Sequence, residues 1–433
     1  MKNIRFNDAL KVVEPWIETN AAHLGNQAVI VRDLFGRVRL ALRLTRAEFK
    51  AEANQVKLLD ENLGRFSPGL DNLFLFQDEL LAPDELFKSP DLQHLPSAHL
   101  QGLQILDRQI IGADWLRSPF AESGKIPARV AFFGFKGGAG RTTALYLFAR
   151  HMARQGKRVL AVDLDLESPG IGNLLLAPGQ YPRFGVVDWF VEEAVGQADE
   201  PLAKEMLATC RLAEDVSGSI QVVPAHGASE PDYMAKLSRA YLPLKAGLQT
   251  RDFAIRLHDM VVAMEKESKA DIVLLDCRAG LHDLAAIALA RMRATALLFT
   301  VNSSQTWQGY NLLFQHWQKH HEVLRQFRDN LKVVDALVPE TGRKEHRELA
   351  LASSHQLFTD TIYEATTPGA PEDDVFNYDL NDPDAPHYSL PIHWYRAFQN
   401  FDPIRLPGSV SEADVNANYG EFLNGVSTLL SLT

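Results

Sequence analysis

Cysteine is nearly missing from this chain. Cys210 and Cys277 are the only two in 433 residues, too few for a disulfide framework or a Cys-based zinc site. Long apolar runs are also lacking: no stretch approaches the ~20 residues of a membrane span, and Met1 to Phe6 has no signal-peptide core. The sequence therefore reads as cytoplasmic, with no membrane partner expected. Basic charge is in deficit, 44 Lys and Arg against 55 Asp and Glu for a net −11. That argues against a broadly basic nucleic-acid surface while leaving room for a local patch. No internal repeat or low-complexity tract stands out. What is present is 46% hydrophobic, the composition of an ordinary globular protein, at a length that suits two or three domains.

Residues 1 to 118 read as a small α+β accessory domain. Ala28 to Val31 and Val38 to Leu44 form strands around Asp33-Leu34-Phe35-Gly36, a hairpin loop. The second strand alternates, Val38, Leu40, Leu42 and Leu44 on one face and Arg37, Arg39 and Arg43 on the other. The arginine side is read as the solvated face of a half-covered sheet, with an acidic or nucleic-acid partner as the other reading. Thr45 and Glu48 form a capping-box pair that predicts a helix to about Glu61. Pro90 to His99 reads as a loop, and Arg117 to Pro127 as the boundary to a second domain, 119 to 433.

That second domain is organised around Ala131 to Thr143, Ala-Phe-Phe-Gly-Phe-Lys-Gly-Gly-Ala-Gly-Arg-Thr-Thr. An apolar run from Val130 to Phe133 predicts a buried strand, and Thr142 to Arg154 a helix with Leu145, Phe148, Ala149 and Met152 on one face. A glycine-rich turn between strand and helix is where backbone N–H groups surround a phosphate, aided by the helix dipole. Measured against G-x-x-x-x-G-K-[ST], Gly140, Arg141 and Thr142 take the last three positions and Phe135 replaces the first glycine. Further buried strands are expected at Val159 to Val162, Ile220 to Val223, Ile272 to Leu275, Ala296 to Val301 and Val333 to Val338. Helical patterns at Phe253 to Met264, Leu284 to Met292 and Tyr310 to Arg328 separate most of them. Such alternation predicts an α/β fold, a doubly wound, mostly parallel sheet covered on both faces. Residues 367 to 387 read as an exposed acidic loop, and Val415, Tyr419, Phe422, Val426 and Leu429 as the packed face of a final acidic helix.

Lys136 before Gly137-Gly138 gives K-G-G-x-G-[KR]-T-T, which resembles the deviant Walker A loop of the ParA/MinD family of P-loop ATPases. The resemblance covers roughly residues 128 to 340 and implies ATP and Mg²⁺ as ligands and a face-to-face, ATP-dependent homodimer. Lys136 would then act in trans on the partner's phosphates. Gly137, Gly138, Ala139, Gly140, Arg141, Thr142 and Thr143 would cradle the phosphates, with Thr142 on Mg²⁺ and Thr143 at the α-phosphate. Asp271 to Leu275 running into Asp276 matches a Walker B strand, and Asp276-Cys277-Arg278-Ala279-Gly280 has the Asp-x-x-x-Gly spacing of switch II, whose Gly280 would offer its N–H to the γ-phosphate. Asp163-Leu164-Asp165 resembles the switch I strand end, which assigns the catalytic water and a place beside the metal to Asp165. Arg141 stands where the family has a second lysine, and Arg278 where it often has proline, an extra cation near the phosphates or the dimer partner. An iron–sulfur ATPase is disfavoured, since Cys277 directly follows the metal acid.

Other residues carry open readings. Lys236 and Arg239 suit a solvated helix face, and Arg343-Lys344-Glu345-His346-Arg347 an exposed first helical turn that could touch DNA. His226 reads as a hydrogen-bonded loop histidine within reach of a ligand. Gln305, Trp307 and Gly309 could border the nucleotide, and the adenine loop is placed near Pro339 and Glu340. The resulting expectation is a slow ATPase that switches a partner protein or assembly through its N-terminal domain. The competing classes are a small-molecule kinase or ligase on the same core and a nucleotide-binding scaffold with negligible hydrolysis.

Overall fold

The continuous apolar runs of the second half become buried strands of one sheet. The computed structural model describes every residue except 1–3, 21–23, 25–26, 90, 96–101, 212–215, 229–231, 247–248, 366–374 and 432–433. The chain divides into two compact units, Met1–Ala113 and Asp114–Thr433. Residues 114–118, assigned above to the first domain, therefore side with the second: Asp114 Oδ1 pairs with Arg291 Nη1 at 2.7 Å, and the Trp115 ring lies 6.1 Å from Phe133 and 5.8 Å from Trp317.

In the first unit β1 (Ala28–Arg32), β2 (Val38–Leu42), β3 (Phe74–Phe76), β4 (Leu92–His94) and β5 (Gln104–Asp107) form a sheet in the order β3-β2-β1-β5-β4. The β1–β2 turn is the expected hairpin: Asp33 Oδ1 accepts the N–H groups of Phe35 and Arg37, both at 2.9 Å. Gly36 there has φ +80°, with the Phe6 ring 3.2 Å from where a Cβ would stand. Three expectations change. The arginine face is not simply solvated, because the helix Pro83–Phe87 covers part of it. Ala41 is buried there with Val29, Val31, Phe87 and Leu106, and Arg43 Nη2 donates to the Phe87 carbonyl at 3.0 Å. Thr45 and Glu48 do exchange capping bonds, yet they close only a turn, and the helix runs Ala53–Leu63. Within the stretch read as a loop, Leu92–His94 pairs antiparallel with β5.

The second unit adds β6 (Ala128–Gly134), β7 (Arg158–Leu164), β8 (Ala208–Thr209), β9 (Ser219–Val223), the hairpin β10 (Leu244–Ala246) and β11 (Gln249–Arg251), then β12 (Ile272–Cys277), β13 (Thr295–Thr300), β14 (Leu331–Val338) and β15 (Leu390–His393). The large sheet has the order β15-β14-β13-β6-β12-β7-β9-β8, and every pairing in it is parallel except β8 with β9. Because β6 lies between β12 and β13, the winding reverses there, which is where α/β sheets place ligands, outside the carboxyl ends of the strands. Both faces are covered, as the unbroken apolar runs require. Phe133, Leu275 and Leu298 point into one layer, and Phe132, Leu274 and Phe299 into the other.

The helices expected from Thr142 and Phe253 appear as Arg141–Arg154 and Phe253–Ser268, whereas the one expected at Tyr310 to Arg328 starts earlier and breaks, as Ser304–Gln318 followed by the short helix His321–Leu324. The 284–292 segment is α-helical only over Asp283–Ala286 and then widens to a π-turn at Ile287–Arg291. The last helix, Glu412–Ser431, buries Tyr419, Phe422, Leu423 and Val426 in the layer beneath the Arg141–Arg154 helix.

The acidic loop departs most from expectation. Residues 367–374 of it lie outside the described residues, but Phe376, Ala385 and His387 are buried. Lys332 holds the segment from below, its ammonium donating to the carbonyls of Pro383 at 2.9 Å and Ala385 at 2.8 Å. His387 donates from Nε2 to the Leu380 carbonyl at 3.1 Å and accepts at Nδ1 from the Tyr363 hydroxyl, the bonding of a neutral ring. Burial, together with the charges of His355 and Lys332 and against Asp382, pushes its pKa down to about 4. The unfolded chain, with an ordinary histidine near 6.5, takes up the proton first as pH falls, so stability should decline between about pH 6.5 and pH 4. The urea midpoint of wild type relative to His387→Gln should drift in that window and be flat above pH 7; no drift would mean the ring titrates normally.

Candidate functional site

Strand β6 leads into the glycine turn and then into the helix Arg141–Arg154. Gly138 (φ +76°) and Gly140 (φ +75°) lie in the left-handed region, which strains any residue with a Cβ. Among the described residues, the N–H groups from Gly137 to Thr143 donate to no acceptor. A Cβ on Gly137 or Gly138 would meet nothing within 4 Å, so there is open space beside the loop at a helix N-terminus. A row of unmet amides with a helix dipole behind it is an anion cradle.

The rear of the cradle is supported by neighbouring elements. A Cβ on Gly309 would fall 2.6 Å from Phe135 Cγ, so Gly309 serves as the seat of the Phe135 ring. Tyr310 packs edge-on against the same ring at 4.8 Å and donates to the Phe299 carbonyl at 2.8 Å. Gln305 is exposed, and Trp307 Nε1 donates to Asn302 Oδ1 at 2.9 Å.

Beside the cradle stand the acids. Register pairs Asp276 of β12 with Asp163 of β7, and both are fully buried. The Thr142 hydroxyl stands beside the Asp276 carboxylate and favours its charged form. Asp163 accepts from the N–H groups of Asp165 at 3.2 Å and Gly170 at 3.1 Å. Burial pushes Asp276 up to about 6, against the pull of Arg141 and Thr142 and with help from the Asp165 charge. Burial and the Asp276 charge raise Asp163 well above the usual carboxylate range. Two adjacent buried carboxylates disfavour each other's ionisation, and a neighbouring cation relieves that. A Cβ on Gly170 would lie 3.6 Å from Thr142 Oγ1 and 3.8 Å from Asp276 Oδ2, so the loop after β7 passes close over that pair. Asp165 is half-buried, its Oδ1 accepting from Ser168 N–H at 3.2 Å; burial raises its pKa while Arg141 and Arg278 oppose the rise.

Thus Gly137 to Thr143, Asp165 and Asp276 come together. Three site assignments take a different form in this conformation. Arg141 is buried, and its Nη1 donates to the Cys277 carbonyl at 2.8 Å, which ties the cradle to the end of β12. Gly280 (φ +86°) gives its N–H to the Gly134 carbonyl at 3.1 Å, so an anion would have to displace that bond. Arg278 is not a free cation, because its Nη1 lies 2.9 Å from Glu167 Oε2. Lys136 is exposed and has no ion pair among the described residues. From sequence alone Asp163 has no role of its own, and Gly170 and Glu167 do not stand out. The Asp-Leu-Asp-Leu-Glu run was visible, but only strand register shows that Asp163 faces Asp276.

The weaker candidates fall elsewhere. Lys236 pairs with the buried Asp188 at 2.6 Å instead of facing solvent, while Arg239 is exposed and bonds its own helix. His226 is a loop histidine, its Nδ1 2.8 Å from the Gly227 carbonyl and its ring stacked on Tyr181 at 5.3 Å. In the basic cluster Arg343 and Lys344 are exposed, whereas His346 sits 3.2 Å from the buried Asp335. Pro339 and Glu340 precede that helix at the surface.

Residues 130–180, which hold β6, the cradle, its helix, β7 and the Gly170 loop, match the family model of the CobQ/CobB/MinD/ParA nucleotide-binding domain. Over that stretch the chain is similar to this nucleotide-binding family. A curated relative is the putative replication protein A of Sinorhizobium fredii (strain NBRC 101917 / NGR234), 27% identical over 185 residues, 42% of each chain. The present chain thus spans less than half the length of that relative. Among solved structures it is similar to the cell division ATPase MinD of Pyrococcus furiosus, at 18% identity over 70% of this chain and 100% of that one, TM-score 0.40. It is also similar to pNOB8 ParA, at 15% over 70% and 96%, TM-score 0.41. A third is the cobyrinic acid a,c-diamide synthase of Mycobacterium smegmatis with an ATP analog and magnesium, at 20% over 57% and 86%, TM-score 0.36. The CobQ/CobB/MinD/ParA match ends before β12, so Asp276 and the loop after it rest on the geometry of this chain alone. No helix among the described residues is long and apolar enough to cross a membrane.

Proposed function

We propose that this MinD/ParA-type domain binds ATP with Mg²⁺, hydrolyses it slowly, and uses the bound nucleotide to switch between monomer and homodimer. The observation that carries this reading is the row of unmet amides at Gly137–Thr143 next to Thr142 and the Asp163–Asp276 pair. The amides would take the phosphate oxygens, and Thr143 would reach the α-phosphate. Thr142 and Asp276 would hold Mg²⁺ with Asp165 close by, which would add a second cation to Arg141 beside the buried carboxylates. Bound Mg²⁺ would draw negative charge off the phosphate oxygens. Asp165, the least buried of the three acids, would orient the attacking water.

Lys136, the unpartnered cation of the loop, would reach the phosphates of a second copy, so nucleotide affinity and dimer affinity reinforce each other. The first unit and a protein partner would read out the dimer. Mg·ATP should raise the melting temperature, since saturation at about 100 times the Kd adds roughly 2.7 kcal/mol. Mass in solution should double with Mg·ATP when hydrolysis is blocked. No melting shift together with no calorimetric binding would remove the ATP assignment, and a persistent monomer would remove the dimer switch.

A further inference from the structure

One carboxylate beside the site has no part in the scheme above. Glu167, two residues after Asp165, is paired at Oε2 by Arg278 Nη1 at 2.9 Å. Its Oε1 accepts from the Tyr241 hydroxyl at 2.7 Å, with His282 Nε2 3.6 Å away. The preceding residue is held as well, since the Tyr233 hydroxyl donates to the Leu166 carbonyl at 2.5 Å. Arg278 and His282 belong to the loop after β12, while Tyr233 and Tyr241 belong to the helix Tyr233–Ala240 and its C-cap.

We propose that Arg278 is a positioning residue: through Glu167 it latches the loop after β7 to the loop after β12 and thereby sets where Asp165 stands against the phosphate cradle. The proposal rests on the role given to Asp165 above. Among the described residues the Asp165 carboxylate has the Ser168 N–H as its hydrogen-bond partner, so its direction follows its loop. That loop is tied to the sheet at its far end by Gly170 N–H on Asp163 and at its middle by Leu166 and Glu167. Of the ties at its middle from the loop after β12, Arg278 makes the shorter one, 2.9 Å against 3.6 Å for His282. Two residues further on, Gly280 bonds the Gly134 carbonyl at the root of the cradle. An anion that takes the Gly280 N–H shifts the segment carrying Arg278, and Glu167 carries the shift to Asp165. The planar guanidinium suits a carboxylate already engaged on its other oxygen, which a lysine ammonium would grip less directionally.

The test uses the full chain in two arms. In nucleotide-free protein, Arg278→Ala should speed amide hydrogen exchange at 164–170 about tenfold or more while leaving the helix 141–154 unchanged, which separates a loosened loop from a failing fold. In ATP hydrolysis, Arg278→Ala and Glu167→Gln should each lower kcat about tenfold with KM within about threefold, and the double variant should be no worse than either single. Arg278→Lys should recover part of the loss. Unchanged exchange at 164–170, or losses that multiply in the double variant, would overturn the latch. A wild-type chain that hydrolyses no ATP would instead overturn the proposed function, and the exchange arm would still decide whether the latch exists.

Discussion

Asp165→Ala should leave nucleotide binding intact and slow ATP hydrolysis about 10²-fold or more, the size of effect a lost acid–base or positioning group gives. Asp165 differs from its neighbours in what its removal breaks. Its carboxylate accepts one N–H, from Ser168, and it is only half-buried, so truncation exposes little and leaves Thr142, Asp276 and the cradle amides in place. Asp165→Asn keeps the Ser168 acceptor and should lose turnover to a similar degree, because it keeps the shape and removes the charge. Asp163→Ala should fail in another way: Asp163 is fully buried and holds the amides of Asp165 and Gly170, and a buried donor left unmet costs about 1–3 kcal/mol. Single-turnover hydrolysis beside equilibrium binding separates these outcomes. Wild-type turnover in Asp165→Ala would move the water-orienting role to Asp163.

Arg141→Ala and Lys136→Ala should diverge although both remove a cation from one loop. Arg141 is buried, donates to the Cys277 carbonyl at 2.8 Å and lowers the pKa values of both Asp276 and Asp165. Its loss should weaken ATP binding and also lower the stability of the nucleotide-free protein by about 1–3 kcal/mol, the cost of an unmet buried carbonyl. It should also push Asp276 further up. Lys136 is exposed, so Lys136→Ala should leave stability and monomer binding of ATP unchanged and abolish ATP-driven dimerisation. Arg141→Lys should remain active, because a lysine keeps the charge, though it loses the planar fork. Urea melts, ATP titrations and mass in solution distinguish the two cations. A Lys136→Ala protein that dimerises normally would leave a nucleotide binder without a dimer switch.

The parts of the fold legible in the sequence were those fixed by local pattern. Val130–Phe133, Val159–Val162 and Ile272–Leu275 are unbroken apolar runs because both faces of a parallel sheet are covered, and the glycine turn announced itself through Gly138 and Gly140, whose φ values exclude most other residues. Pattern failed where pairing at a distance decides. Leu390-Pro391-Ile392-His393 is too short to read as a strand until β14 lies beside it. The helix predicted from Thr45 starts at Ala53, since a capping box stabilises a first turn without dictating that a helix follows. The acidic loop looked exposed by composition, but its carbonyls are what the buried Lys332 ammonium needs. The Glu167–Arg278 pair joins residues more than a hundred positions apart. No local spacing encodes it.

The final helix bears on how the chain is made. Tyr419 reaches to 3.9 Å from the Cβ position of Gly140, and Phe422 contacts the rings of Phe148 and Phe299. Strand β6 and its helix leave the ribosome before β12 and β13, which flank β6 and come more than a hundred residues later, and the apolar wall behind the cradle comes more than a hundred residues after those. Domains emerge N-terminus first, at about 5–20 residues per second. The half-made second unit therefore spends on the order of ten seconds or more with Phe132, Phe148 and the central strand uncovered. In a nascent chain stalled before Glu412, the cradle glycines would be present but without their backing, so nucleotide capture should begin only after Glu412–Ser431 has cleared the exit tunnel.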